Sequence, residues 1–349
     1  MKRKYTIQIF LLITFALAAN ATKTNDVTFT VALDGSGNFT KIQDAIDAVK
    51  PNQKKRTIIL IKNGEYQTEK LIVPEDKQNI TFLGENRDKT VISYHIYDCK
   101  DGLNNKCPAE DAAKWTGLNI RTSATITVYG NGFRAENITF RNTAGPVGQA
   151  LAITVCADKN TFVNCSFIGY QDTIYLWTAG SRSYFQNCLI VGRTDFIYGA
   201  GIAFFDECEI KCFGGGWITA PSTPQNQPFG FVFFKCKITF ETNSPRKEDD
   251  HQSIALGRPW HAYPKVAWLY CDMCKNINPL GWNTTWRMDY AATNSDLHLY
   301  EYKNSGAGAE MTHRSKWVGL RALSDKEAKQ YNIKNILSGK DNWNPLKFR

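Results

Sequence analysis

The chain reads as an all-β protein: a right-handed, single-stranded parallel β-helix with short capping helices at its ends. Two observations predict this. First, an aromatic residue recurs three positions before a small residue or a cysteine. The series is Phe140-Arg-Asn-Thr143, Phe162-Val-Asn-Cys165, Phe185-Gln-Asn-Cys188, Phe205-Asp-Glu-Cys208, Phe233-Phe-Lys-Cys236 and Trp268-Leu-Tyr-Cys271, at steps of 22, 23, 20, 28 and 35 residues. Second, each unit is flanked by short stretches rich in Ile, Val, Phe and Thr and broken by Gly, Asn and Asp, which is the pattern of strands and turns. Units of this length with β patterning fit solenoid coils. The leucine and asparagine pattern of a leucine-rich repeat is missing, and an antiparallel sandwich is the competing architecture.

The elements follow in order. Lys2-Arg3-Lys4, the apolar run from Ile7 to Ala19 and the Ala19-Asn20-Ala21 site have the shape of a secretory signal peptide, residues 1–21. The run is too short to cross a bilayer of roughly 30 Å. Residues 22–349 are therefore expected as one exported domain, extracellular or periplasmic, monomeric and free of the membrane after cleavage. Asp34-Gly-Ser-Gly37 is a turn. Ile42, Ala45, Ile46 and Val49 then mark one face of an amphipathic helix that closes one end of the stack. Strands around 58–61, 80–83 and 91–92 begin the coils. Residues 95–116 are polar and read as an inserted loop clipped by Cys99 and Cys107. At the far end Ser324-Asp-Lys-Glu327 resembles a capping box opening a helix through about Leu337. Such covers keep a repeat stack from exposing an edge.

Composition narrows the function. With 42 basic and 33 acidic residues the formal charge is +9, which favours acidic partners but suits a solvated surface equally well. Nothing points to a nucleic-acid partner. Hydrophobic residues at 43% and charged residues at 21% exclude disorder, and 20 Phe, 15 Tyr and 9 Trp can fill a large core. Ten cysteines fit an oxidising compartment. Cys271 and Cys274 form a lone CxxC, and His95, His251, His261, His298 and His313 have no ligand spacing, so no metal or other cofactor is expected. Cys165, Cys188 and Cys208 share a column, as a Cys188–Cys208 bridge or as stacked thiols. Trp282, Trp286 and Trp317 are open to sugar stacking or core packing. The sequons at Asn38, Asn79, Asn137, Asn164 and Asn283 fall partly inside predicted coils.

Equivalent positions on successive coils stack at about 4.8 Å. Nine residues after the anchoring aromatic come Gln149, Gln171 and Thr194; ten after it come Ala150, Asp172 and Asp195. The register thus brings two amides and two carboxylates together, close enough that the acids cannot both ionise freely. Whether these side chains point inward or to solvent is left open by the register.

At these positions the sequence resembles the pectin methylesterases. The resemblance is carried by Gly169-Tyr-Gln-Asp-Thr-Ile-Tyr175, Gly192-Arg-Thr-Asp-Phe-Ile-Tyr-Gly199 and Leu256-Gly-Arg-Pro-Trp260. It is supported by Gly145-Pro-Val-Gly-Gln149-Ala, Pro279-Leu-Gly-Trp282 and Tyr300-Glu-Tyr302, and runs from about Val27 to Trp343. It implies hydrolysis of galacturonate methyl esters in pectin. Asp195 would be the nucleophile and Asp172 the acid/base, with Gln149 and Gln171 on the oxyanion. Arg258 would hold the nucleophile. Trp260 would contact substrate, and Tyr175, Phe196 and Thr125 would line the sugar groove.

Elementary chemistry agrees: an ester needs a nucleophile, an oxyanion partner and a proton donor for the leaving alkoxide. Arg258 is expected to lower the pKa of Asp195, while Asp172 without its own cation stays protonated longer. The family's usual Thr-Val before the nucleophile is Arg193-Thr194 here; Arg193 either contacts a substrate carboxylate or is solvated. Its Gly-x-Tyr-x-Glu motif appears one residue longer, as Gly64-Glu-Tyr-Gln-Thr-Glu69. No Gly-x-Ser-x-Gly elbow is present, which disfavours a serine triad. A backbone-cleaving lyase or glycosidase, an acyl-thioester hydrolase and a non-catalytic polysaccharide-binding solenoid are the competing functions.

Overall fold

The computed structural model describes residues 28–98, 123–283 and 288–347. The signal peptide, the Cys99–Cys107 clip and Trp286 lie outside the described residues. Among the described residues every strand pairs in parallel, in two hydrogen-bonded sheets of eleven and thirteen strands. This removes the antiparallel sandwich. The first sheet is one wall of a coil, running from Phe29–Val31 through Thr57–Ile61 and Asn160–Val163 to Leu320–Ala322. The second sheet folds into two further walls, because Leu189–Gly199 and Glu209–Pro221 pass through the corner between them without a break. The result is a three-walled parallel β-helix, right-handed as β-crossover connections are.

The repeat has a physical reason. Phe162, Phe185, Phe205, Phe233 and Trp268 are register partners on successive rungs of the first wall. Their rings stack with centroids 4.7, 4.6, 4.6 and 3.8 Å apart and nearly coplanar. Two residues on, Asn164, Asn187, Glu207, Lys235 and Tyr270, and Lys303 two after Glu301 on the next rung, all take a left-handed backbone, with φ from 46° to 54° in five of them and 56° at Tyr270. One left-handed residue turns the chain sharply from the first wall to the second, and after glycine Asn tolerates that conformation best. The next residue points inward again, and there Cys165, Cys188, Cys208, Cys236 and Cys271 stack as buried free thiols. The alternative of a Cys188–Cys208 disulfide is therefore corrected: Cys208 Sγ donates to the Phe185 carbonyl at 3.5 Å instead. Asn164 Nδ2 donates to Asn137 Oδ1 at 2.7 Å, so two of the sequon side chains are tied into this corner.

Phe140 does not belong to the aromatic column. Its partner is Phe167 on the second wall, and Phe162 is paired instead with Ala135. That rung is longer because the segment from Phe140 to Gln149 has five more residues than the equivalent one from Phe167 to Gln171. The extra residues bulge at the corner, which is why the predicted offset of 22 is recovered at Gln149 and Gln171.

The first cap is the helix Ile42–Asp47, with Val49 buried just beyond it. Lys41 supplies no side-chain cap; Glu69 Oε1 accepts from the Ile42 amide at 2.8 Å instead. Ser324 and Glu327 form the expected reciprocal capping box. The expected single helix is two: Asp325–Ala328, then Ile333–Leu337, restarted by the Asn332 side chain accepting from the Asn335 amide. Trp282 is fully buried in the core and Trp317 packs against it. Among the described residues no helix is long and apolar enough to cross a membrane.

Candidate active site

Asp172 and Asp195 occupy the same place on adjacent rungs. Gln171 bridges Thr194, the Asp172 amide donates to the Thr194 carbonyl at 3.0 Å, and Ile174 pairs with Ile197. The equivalent bond one rung earlier runs from the Ala150 amide to the Gln171 carbonyl at 3.2 Å. Both aspartates are left-handed, with φ of 64° and 50°. Strain of this kind persists only where surrounding structure enforces it. The corner it makes turns both carboxylates onto one side of the coil while Phe196 drops into the core.

Arg258 grips only one of them. Its Nε donates to Asp195 Oδ1 at 2.8 Å, and its Nη2 to Oδ2, a bidentate ion pair in a buried setting. The guanidinium lies 4.4 Å from the centre of the Trp217 ring. Arg258 reaches this point because Gly257 lets the preceding strand press on its neighbour: a Cβ there would be 2.1 Å from Thr219 Oγ1.

Burial pushes both carboxyls up. For Asp172 the Asp195 charge adds to it, the Tyr198 phenol and Arg258 pull back, and Asp98 adds a small further push. Asp195 is also raised by burial, against the expectation of a lowered value, but Arg258 offsets much of it. Asp172 therefore keeps its proton to higher pH, and Asp195 ionises first.

Gln171 is buried and Gln149 half-buried, and the side-chain oxygen of each has no hydrogen-bond partner among the described residues. An amide so placed presents N–H donors when it turns over. The Gln149 carbonyl is held by the Asp98 amide at 2.8 Å. Tyr175 stacks on Tyr198 with centroids 4.1 Å apart, and half-buried Trp260 packs edge-on at 5.9 Å from Tyr198. Exposed Trp177 stands against Tyr175.

Two expected groove residues are not there. Thr125 is fully buried with its hydroxyl donating to the Arg141 carbonyl at 2.9 Å, and Phe196 is fully buried against the core. The resemblance implied a groove position for both; the left-handed turn at Asp195 aims Phe196 inward instead.

Arg193 is neither solvated nor free for substrate. Its Nε donates to Asp249 Oδ1 at 2.9 Å and its Nη1 to Thr194 Oγ1 at 2.8 Å. Asp249 also accepts from Tyr170 at 2.5 Å and Ser244 at 2.6 Å. Burial alone would raise that carboxyl, but these hydrogen bonds hold it below its ordinary value. Sequence reasoning missed this pairing, as it missed Tyr198, Trp217 and Asp98. The Tyr175–Tyr198 register was a readable signal for Tyr198; Asp249 lies 56 residues from Arg193 with no motif to connect them.

The pectinesterase family model matches residues 28–340. The chain is 36% identical over 319 residues to the probable pectinesterase/pectinesterase inhibitor 13 of Arabidopsis thaliana, covering 89% of this chain and 48% of that protein. It thus spans about half the length of several curated relatives it matches. Its fold is similar to the pectin methylesterase from carrot, with a TM-score of 0.80, 32% identity, and coverage of 92% of this chain and 96% of that one. A pectin methylesterase solved with a hexasaccharide matches with a TM-score of 0.73 and 28% identity over 93% of this chain and 99% of its own. Matched along almost its whole described length in both sequence and fold, the chain belongs to the pectinesterase family.

Proposed function

We propose that this protein hydrolyses the methyl esters of galacturonate residues in pectin, releasing methanol and de-esterified pectate. The observation that carries the reading is asymmetry: two stacked carboxyls at one corner, of which Arg258 clamps only Asp195. Ionised Asp195 attacks the ester carbonyl carbon, and the amides of Gln149 and Gln171 donate to the oxyanion. When the tetrahedral intermediate collapses, protonated Asp172 gives its proton to the departing methoxide oxygen. The ionised Asp172 then takes a proton from water, which attacks the Asp195 acyl-enzyme and restores both carboxyls. Tyr175, Trp177 and Trp260 form an aromatic flank suited to sugar faces. The hexasaccharide bound by the related enzyme supports a saccharide chain as substrate. Export by the N-terminal signal and action as a monomer belong to the same proposal.

The test is methanol release from highly esterified pectin, without added metal, by the wild type and by Asp195→Asn. The variant should lose at least about a thousand-fold in kcat while still binding pectin. Substantial turnover by the variant, or unsaturated or reducing ends in place of methanol, would overturn the reading.

A further inference from the structure

A cavity of about 840 Å³ lies between the outer face of the first wall and the C-terminal tail. It shares no lining residue with the carboxylate corner. Its lining is strongly basic: Lys54, Arg56, Arg134, Lys159, Lys334 and Lys347 face it, with Asp341 as the only acid among the described lining residues. That single carboxylate is already engaged, accepting from Arg182 at 2.6 and 3.0 Å and pairing with Lys159 at 2.6 Å. Arg134 is paired with Glu136 at 2.5 Å. Lys54, Lys334 and Lys347 are exposed and have no acidic partner among the described residues. Burial above all, and then the neighbouring Arg134 charge, press the Arg56 guanidinium down to about 10, while its Nη1 donates to the Gly132 carbonyl at 2.9 Å.

The lining also has the shape of a saccharide site. Register places Thr161 beside Arg134 on adjacent rungs, with Arg56 just ahead of the Thr57–Ile61 strand two rungs away. At about 4.8 Å per rung the basic stripe extends on the order of 15 Å, longer than a single small anion needs. Half-buried Trp343 adds aromatic surface to the lining beside the Arg182 guanidinium, which lies 5.5 Å from its ring centre.

We propose that this cavity is a second saccharide site, which takes a de-esterified oligogalacturonate through its carboxylates. It rests on the function proposed above, whose product is a uronate polyanion. A catalyst that holds its own product away from the corner where it acts stays on the polymer between encounters.

The experiment uses full-length Asp195→Asn protein, its groove saturated with a fully methyl-esterified hexagalacturonate, and titrates in de-esterified trigalacturonate by calorimetry. Binding should be seen, should weaken with salt, and should fall at least tenfold in Lys54→Glu/Lys334→Glu/Lys347→Glu. These three side chains are exposed, so the fold is kept; in the otherwise wild-type chain the triple variant should release methanol from a short ester substrate at the wild-type rate. Equal binding by the triple variant, equal binding of a methyl-esterified trimer, or displacement by millimolar inorganic phosphate would each overturn the proposal. Failure of the methylated hexamer to bind the groove would count against the proposed function, whereas unchanged trimer binding in the triple variant counts against this site alone.

Discussion

Asp172 and Asp195 share a residue type, a rung position and a left-handed backbone, so only their neighbours distinguish them. Arg258 donates two hydrogen bonds to Asp195 and acts on Asp172 through its charge. Two outcomes follow. Arg258→Gln removes the pull that keeps Asp195 ionised, so the acidic limb of the kcat/KM profile should move to higher pH while kcat falls roughly a hundred-fold or more. An unmoved acidic limb would separate Arg258 from that ionisation. Asp172 carries the opposite liability. Its pKa in the fold lies above the value of 3.8 it has when solvated, so ionising it costs the folded state. The cost is absent below about pH 4, grows as pH climbs toward the folded pKa, and is constant above it. Asp172→Asn should therefore melt higher than the wild type at pH 7, with the difference closing toward pH 3.8, as scanning calorimetry at the two pH values can check.

At the scale of the strand and its corner, the recurring aromatic, left-handed and cysteine positions do one job each: fill, turn, fill. That pattern was readable because its spacing survives from rung to rung, and it led to the carboxylate columns before any coordinates. Phe140 misled because a corner of different length hides behind a plausible 22-residue step. Thr125 and Phe196 were carried over from the family resemblance, which does not show which way a side chain points; at Phe196 the left-handed Asp195 just before it turns the ring inward. Arg193 was undecidable, since its partner Asp249 arrives from another rung. The cysteine ladder carries its own expectation. Burial pushes the thiols of Cys165, Cys188, Cys208 and Cys236 well up, and all five of the column are inaccessible. In the folded protein they should resist an aromatic disulfide reagent and react only after denaturation; rapid native labelling of any of the five would contradict the packing.

For the whole molecule, the far cap packs on the coil through Leu323, Ile336 and Leu337, and one polar side chain ties it there as well. Arg182 donates to Asp158, to the Leu337 and Ser338 carbonyls and to Asp341, joining residues about 155 apart in sequence. Removing it leaves half-exposed Asp158 without this partner and Asp341 with Lys159 in its place, so Arg182→Ala should cost about 1 to 3 kcal/mol in denaturant unfolding. Limited proteolysis should also cut the tail beyond residue 333 earlier than in the wild type, whereas an unchanged digestion pattern would show that the cap holds without this residue.

The bulged corner between Phe140 and Gln149 has a consequence for diversification. Five surplus residues are absorbed there with no slip in the strands on either side, so length can vary at this rim independently of the machinery beneath it. The neighbouring loop reaches the same rim, where Arg246 Nη2 donates to the Pro146 carbonyl at 3.3 Å. Adding or trimming residues at 144–147 would reshape what a polymer meets on arrival while leaving the reacting atoms in place, making this hem the part of the molecule on which preference can be rewritten most cheaply.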